Sequence, residues 1–237
     1  SKNAFFVSDD VLDWNFKLAE KYFPSNELII NEASQVWKWW HFAYTRSGYY
    51  QMIKNGLDKG LRIDTIGMQY HVFDRAPNEK NNVTDMYNPK ALFSVLDTYE
   101  KLGKPLQVTE ITIPAYSDTA EDEKIQAELI ENLYSIWFCH KAVEAVIYWN
   151  LVDGYAAWAP QGDMTVGENI FRGGLLRFDM SKKPAYDMIK HLFTELWITN
   201  TEAETNGDGT AKFRGFYGDY TITVDDKKFD ITLKSNT

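Results

Sequence analysis

Lys104-Pro-Leu-Gln-Val-Thr-Glu-Ile-Thr-Ile-Pro114 places one carboxylate, Glu110, inside a short β-branched run closed by prolines. Such a run reads as a buried strand, and a carboxylate buried within it needs a reason, because an unpaired buried charge is costly. Working outward, Glu110 belongs to a series of groups at the far ends of strand-like runs: Asn31, then Gln69 and His71, then Glu110, then Trp149 and Asn150.

Helical segments alternate with these runs. Apolar spacing predicts a helix over Asp9–Phe23, closed by Pro24, without a preceding strand. Further helices are predicted over Ser47–Lys59, from Asn88-Pro89 to Leu102, from about Thr119 to His140, and from near Pro184. The strands fall at Glu27–Asn31, Ile63–His71, the run around Glu110, and Val143–Leu151. Strands spaced by helices imply a parallel sheet with crossover connections, and functional groups at the strand ends match a (β/α) barrel. Four strand–helix units fill this chain, where a complete barrel needs eight and about 250 residues. Half a barrel is therefore expected over residues 1–197. Beyond Trp197, Ala211–Tyr217, Tyr220–Val224 and Lys228–Leu233 read as short antiparallel strands, a small β appendage at 198–237. Packing element and carbohydrate binder are its two readings.

The 237 residues carry a formal charge of −9 without basic clusters, which argues against nucleic acid and against an anionic membrane surface. A neutral ligand suits that balance. Eight Trp, fourteen Tyr and fourteen Phe exceed what a core of this size requires, and sugar clefts use such rings for stacking. Cys139, the single cysteine, reads as a small core residue. Neither a metal nor a cofactor motif is present, since no histidine stands at ligand spacing to a second and no glycine-rich phosphate turn follows a strand. No signal-like segment or apolar run of about 20 residues occurs.

Glycosidic cleavage commonly needs two carboxylates, and Glu110 is the candidate for one, with a buried ion pair as the structural alternative. His71, ending the preceding strand, is placed to orient it. Trp37, Trp39, Trp40 and Phe42 follow the first strand either as a sugar platform or as a loop packed on its own rings.

These stretches resemble glycoside hydrolase family 10, the endo-β-1,4-xylanases. Thr109-Glu-Ile-Thr-Ile113 resembles the family's nucleophile strand, usually Thr-Glu-Leu-Asp. Ile63-Asp-Thr-Ile-Gly-Met-Gln-Tyr-His71 resembles its Gly-x-Gln-x-His strand. Trp149, Asp153 and Trp158, with Gly174-Leu-Leu-Arg-Phe-Asp179 and Lys183-Pro-Ala-Tyr186, resemble its closing segments. The resemblance implies a retaining hydrolase, with strands 5–8 of a (β/α)8 TIM barrel in this chain and xylan or xylo-oligosaccharide as substrate. Glu110 would be the nucleophile and His71 its orienter, with Gln69, Asn31, Trp149 and Trp158 contacting sugar. The acid/base would lie in a missing N-terminal half, supplied by an upstream segment or replaced by self-association through open sheet edges. Secretion or cell-envelope location is implied because polymeric xylan lies outside the cell. The chain departs from the pattern at Thr112, where the family has Asp, and at Ala33, where it has Tyr. Asn31-Glu32 imitates the family's acid/base pair in the context of its fifth strand. Two further readings are a noncatalytic carbohydrate-binding or scaffold protein and a four-stranded doubly wound domain.

Overall fold

The computed structural model describes residues 10–32, 35–38, 44–75 and 84–234. The chain forms two compact units, one ending at Tyr186 and the other beginning at Asp187.

In the first unit, β1 (Ile29–Glu32), β2 (Thr65–His71), β3 (Leu106–Thr112) and β4 (Val143–Tyr148) form one parallel sheet in sequential order. The described α-helices of eight residues or more are α1 (Val11–Tyr22), α2 (Gly48–Asp58), α3 (Pro89–Glu100), α4 (Ala120–Cys139) and α5 (Pro184–His191), the last running from the first unit into the second. Each crossover helix starts where its side chains dictate. Ser47 Oγ accepts from Tyr50 N at 3.1 Å, Asn88 Oδ1 from Lys90 N at 3.0 Å with Pro89 at the first turn, and Thr119 Oγ1 from Asp122 N at 3.2 Å. These caps satisfy amides that have no partner inside the helix. Sequential order with right-handed crossovers puts α2, α3 and α4 on one side of the sheet. Among the described residues, no helix is long and apolar enough to cross a membrane.

That outer side holds the core. Ile66, Met68 and Tyr70 of β2 and Leu106, Val108 and Ile111 of β3 are fully buried. The Tyr70 ring packs edge-on against Trp137 of α4 and against Trp37, at centroid distances of 5.0 and 5.5 Å. On α4 the buried stripe runs through Gln126, Ile130, Leu133 and Trp137. Cys139 falls off that helical spacing and is exposed, correcting its expected place in the core.

The second unit contains a hairpin, β5 (Gly218–Val224) with β6 (Lys227–Leu233), closed by Asp225 and Asp226 at φ of 47° and 64°. Its two faces segregate: Tyr220 opposes Ile231 and Ile222 opposes Phe229, while Thr221 and Asp219 hydrogen-bond Asp230 and Thr232 across the other side. The expected third strand at residues 211–217 does not form. Phe216 N donates to Thr199 Oγ1 and its carbonyl accepts from Tyr220 OH, so side chains occupy the groups a ladder would use.

Candidate active site

Strand parity alone would hide Glu110. Leu106 and Val108 face the helices, and side chains alternate along a strand, so position 110 belongs with them. A β-bulge reverses this. Met68 opposes Val108 but Gln69 opposes Glu110, leaving Thr109 as an extra residue, and the register against β4 shifts over the same stretch. Bulges of this kind re-aim a side chain. Thr109 and Glu110 consequently both face the inner side, and the outward set resumes at Ile111 and Ile113, both fully buried.

The inner side is polar. Thr109 Oγ1 donates to Asn31 Oδ1 at 2.7 Å. Between them lies Gly67, where a Cβ would meet Asn31 Oδ1 at 2.7 Å and Thr109 Cγ2 at 2.9 Å, so only glycine lets these groups meet. Toward the opposite end of the strands, Glu144 Oε1 accepts from Gln107 Nε2 at 2.8 Å and Thr65 Oγ1 at 3.3 Å.

At the carboxyl ends of the strands, Gln69 Nε2 donates to Glu110 Oε1 at 3.0 Å and His71 Nε2 lies 3.2 Å from Glu110 Oε2. Each carboxylate oxygen thus has its own protein partner. His71 Nδ1 lies 2.9 Å from Thr112 Oγ1. An ionised carboxylate only accepts, so Nε2 carries the proton; in a neutral ring Nδ1 then accepts and the Thr112 hydroxyl donates. Burial supports that state by pushing the His71 pKa below its ordinary value, against the opposing pull of the Glu110 carboxylate. The ring is further held by stacking on Phe73 at 4.6 Å and by the edge of Trp149 at 5.9 Å.

Of the sequence candidates, Gln69, His71, Glu110 and Trp149 meet at this point. Asn31 sits one layer below, joined through Thr109. Trp158 stands 91% exposed on the loop after β4. Glu110 is half-buried, with 22% of its side chain exposed, instead of enclosed as the sequence suggested. Trp37 is fully buried and donates its indole N–H to Gln69 O at 2.7 Å, a packing role; Trp39, Trp40, His41 and Phe42 lie outside the described residues. Glu32 opposes the outward-facing Met68 and acts electrostatically on Tyr49 and Tyr99, which places it on the helix side, away from Glu110.

One group escaped the sequence reading. Glu168 Oε2 accepts from the Trp149 indole at 3.1 Å. Asp153, grouped by motif with the tryptophans, is structural: Oδ1 accepts from Gly174 N at 2.7 Å, and Oδ2 lies 3.2 Å from the buried Lys183. Arg177 forks onto the buried Glu123 of α4 through two hydrogen bonds. Asp153 and Arg177 of the closing motif therefore bolt this segment down. His140, with Asp97 and Glu100 nearby, accepts Ala142 N–H at Nδ1, so its Nε2 serves as donor to Asp97 at 3.2 Å.

Residues 4–192 match the model described as Glycosyl hydrolase family 10. Endo-1,4-beta-xylanase B of Thermotoga neapolitana is 30% identical over 152 residues, covering 62% of this chain and 38% of that protein. Anti-sigma-I factor RsgI6 of Acetivibrio thermocellus is 29% identical over 181 residues, 75% of this chain and 20% of that protein. Native xylanase 10B from Thermotoga maritima superposes with a TM-score of 0.57 at 26% identity, over 77% of this chain and 51% of that one. A xylanase from Paenibacillus barcinonensis gives a TM-score of 0.59 at 18% identity, with 77% and 53% covered. The chain thus spans about half the length of these solved xylanases.

Proposed function

Because the chain belongs to glycosyl hydrolase family 10, we propose that it is the C-terminal half of a retaining endo-β-1,4-xylanase barrel, with Glu110 as nucleophile and xylan as substrate. One observation carries this reading: a half-exposed carboxylate at the carboxyl end of a parallel strand, gripped through both oxygens by Gln69 and His71. Barrel enzymes place their chemistry at that end of the sheet. In the reaction Glu110 attacks the anomeric carbon, the glycosidic oxygen leaves with a proton from a general acid, and water later hydrolyses the glycosyl ester. Gln69 and His71 hold the carboxylate in line for attack, and the neutral His71 leaves the negative charge on Glu110. Trp149 offers a half-exposed ring beside His71 for stacking on a pyranose. Of the nearby carboxylates, Glu144 lies toward the opposite strand ends and Glu168 is tied to Trp149. The general acid comes from the upstream half of the barrel, or from a second copy of this chain.

The open inner side supports the half-barrel reading. Ile29 and Ile147 are 42% and 48% exposed on β1 and β4, the edges of the sheet, where a closed barrel would enclose them. Sheet edges invite pairing. A stable monodisperse monomer in sedimentation at micromolar concentration would count against the need for a completing half. Because xylan is extracellular, the working location is outside the cell or in its envelope.

The test of the nucleophile is intact-mass spectrometry with peptide mapping after incubation with a fluoro-xylobioside carrying a dinitrophenolate leaving group, which departs without acid assistance. One adduct, on Glu110, is expected. No adduct even with the upstream half supplied would overturn the assignment. A second reading, a noncatalytic saccharide-binding domain, is favoured by the relative named as an anti-sigma-I factor rather than as a hydrolase. Xylo-oligosaccharide binding without turnover, upstream half present, would select it.

A further inference from the structure

Trp149 is fixed at its backbone and half-exposed at its ring. Its N–H donates to Ile111 O at 2.9 Å, which ties the main chain to β3, while the side chain is 45% exposed. The ring nevertheless stands nearly perpendicular to His71, at an interplanar angle of 78°. A half-exposed indole with two rotatable bonds does not hold such a pose by itself. Among the described residues, the hydrogen-bond partner of the ring is Glu168, 3.1 Å from the indole nitrogen.

Glu168 is in turn held from both sides. Gly167 has φ of +58°, and a Cβ there would meet Trp158 O at 2.6 Å, so the chain can pass that point only as glycine. On the other side Asn169, 2% exposed, accepts from Ala156 N at 3.0 Å and donates to Asp163 O at 2.9 Å. The loop after β4 is therefore folded onto itself around the residue that reaches Trp149. Its carboxylate also acts on His71 through space, with the same sign as Glu110.

We propose that Glu168 is a positioning residue: it anchors the indole of Trp149 against His71, so that the ring is set in advance to stack on a neutral pyranose of a β-linked oligosaccharide. The saccharide part rests on the function proposed above; the anchor does not. Fixing the ring before binding removes an ordering cost that the ligand would otherwise meet, and an indole with its N–H engaged presents a defined face to the sugar.

Nitrogen–proton spectra of the indole region, recorded on the whole chain, read the anchor directly. W149F assigns the Trp149 signal. That signal is expected to hold its position in E168Q, which keeps an acceptor, and to move to that of a water-exposed indole in E168L, with the other indole signals unmoved as evidence of an intact fold. E168D, which keeps the charge and shortens the arm, shifts the signal in the same way and serves if E168L does not fold. A Trp149 signal unmoved in E168D or in a folded E168L overturns the proposal. Titration with xylotetraose then separates ring placement from charge. E168L and W149F each weaken binding about tenfold, their combination weakens it no further, and E168Q changes it less than threefold. A loss in E168Q equal to that in E168L, with the indole signal in place, overturns the proposal in favour of direct charge contact with the sugar. If the wild-type chain ignores xylotetraose even with the upstream half supplied, while E168L still moves the indole signal, the saccharide reading fails and the anchor stands.

Discussion

Lys183 and Asp153 lie 3.2 Å apart, the same separation as His71 and Glu110, and the two pairs differ in everything around them. The first pair is 1% and 7% exposed, with Lys183 also donating to Arg172 O at 2.7 Å and Asp153 also accepting from Gly174 N. Its charged atoms are used up by the backbone of the loop they brace. The second pair is 8% and 22% exposed, and its carboxylate opens toward the inner side of the sheet. Burial pushes both Lys183 and His71 toward their neutral forms, and in each case the partnered carboxylate opposes it. An ion pair enclosed by its own loop is a fastener, whereas a carboxylate left accessible beside a neutral histidine retains a face for a substrate.

Substitutions break this contrast in order of size. E110Q should lower turnover by about 10⁴-fold or more in the completed enzyme and abolish the trapped adduct, yet leave the urea midpoint almost unmoved, because the amide still accepts at one atom; a large loss of stability would make Glu110 structural too. K183M should do the reverse, costing about 3–5 kcal/mol in urea unfolding by stranding the Asp153 charge. The pair K183M/D153L removes both charges and should recover at least about 2 kcal/mol of that loss. T112V deletes the donor to His71 Nδ1 and should cost about 1 kcal/mol. The smallest effect is in pH. His71 has a folded pKa below its unfolded value near 6.5, so the stability tied to its neutral ring is complete above pH 6.5 and declines as pH falls through the folded value. Histidine proton shifts followed by NMR, with H71N as control, measure that window; a ring that titrates above 6.5 contradicts the neutral-donor arrangement with Thr112.

Much of this was legible in one dimension. The β-branched runs, the caps Ser47, Asn88 and Thr119, and the alternation of strand and helix are local properties, dictated by neighbours a few residues away. The position of Cys139 was misread because one apolar helix end looks like another until the buried stripe of α4 is known. Residues 211–217 were misread as a strand because β-like composition does not reveal that Thr199 and Tyr220 claim the backbone of Phe216.

The sequence alone determined the order of the strands, the helices between them, and the presence of Gln69, His71 and Glu110 at strand ends, since these follow from periodicity, capping chemistry and spacing. Only the tertiary structure decided which way Glu110 faces. Alternation from Leu106 and Val108 directs it into the core, and the extra residue at Thr109 turns it to the inner side. A bulge is a property of two paired strands, set by the register between them, and no single strand carries that information.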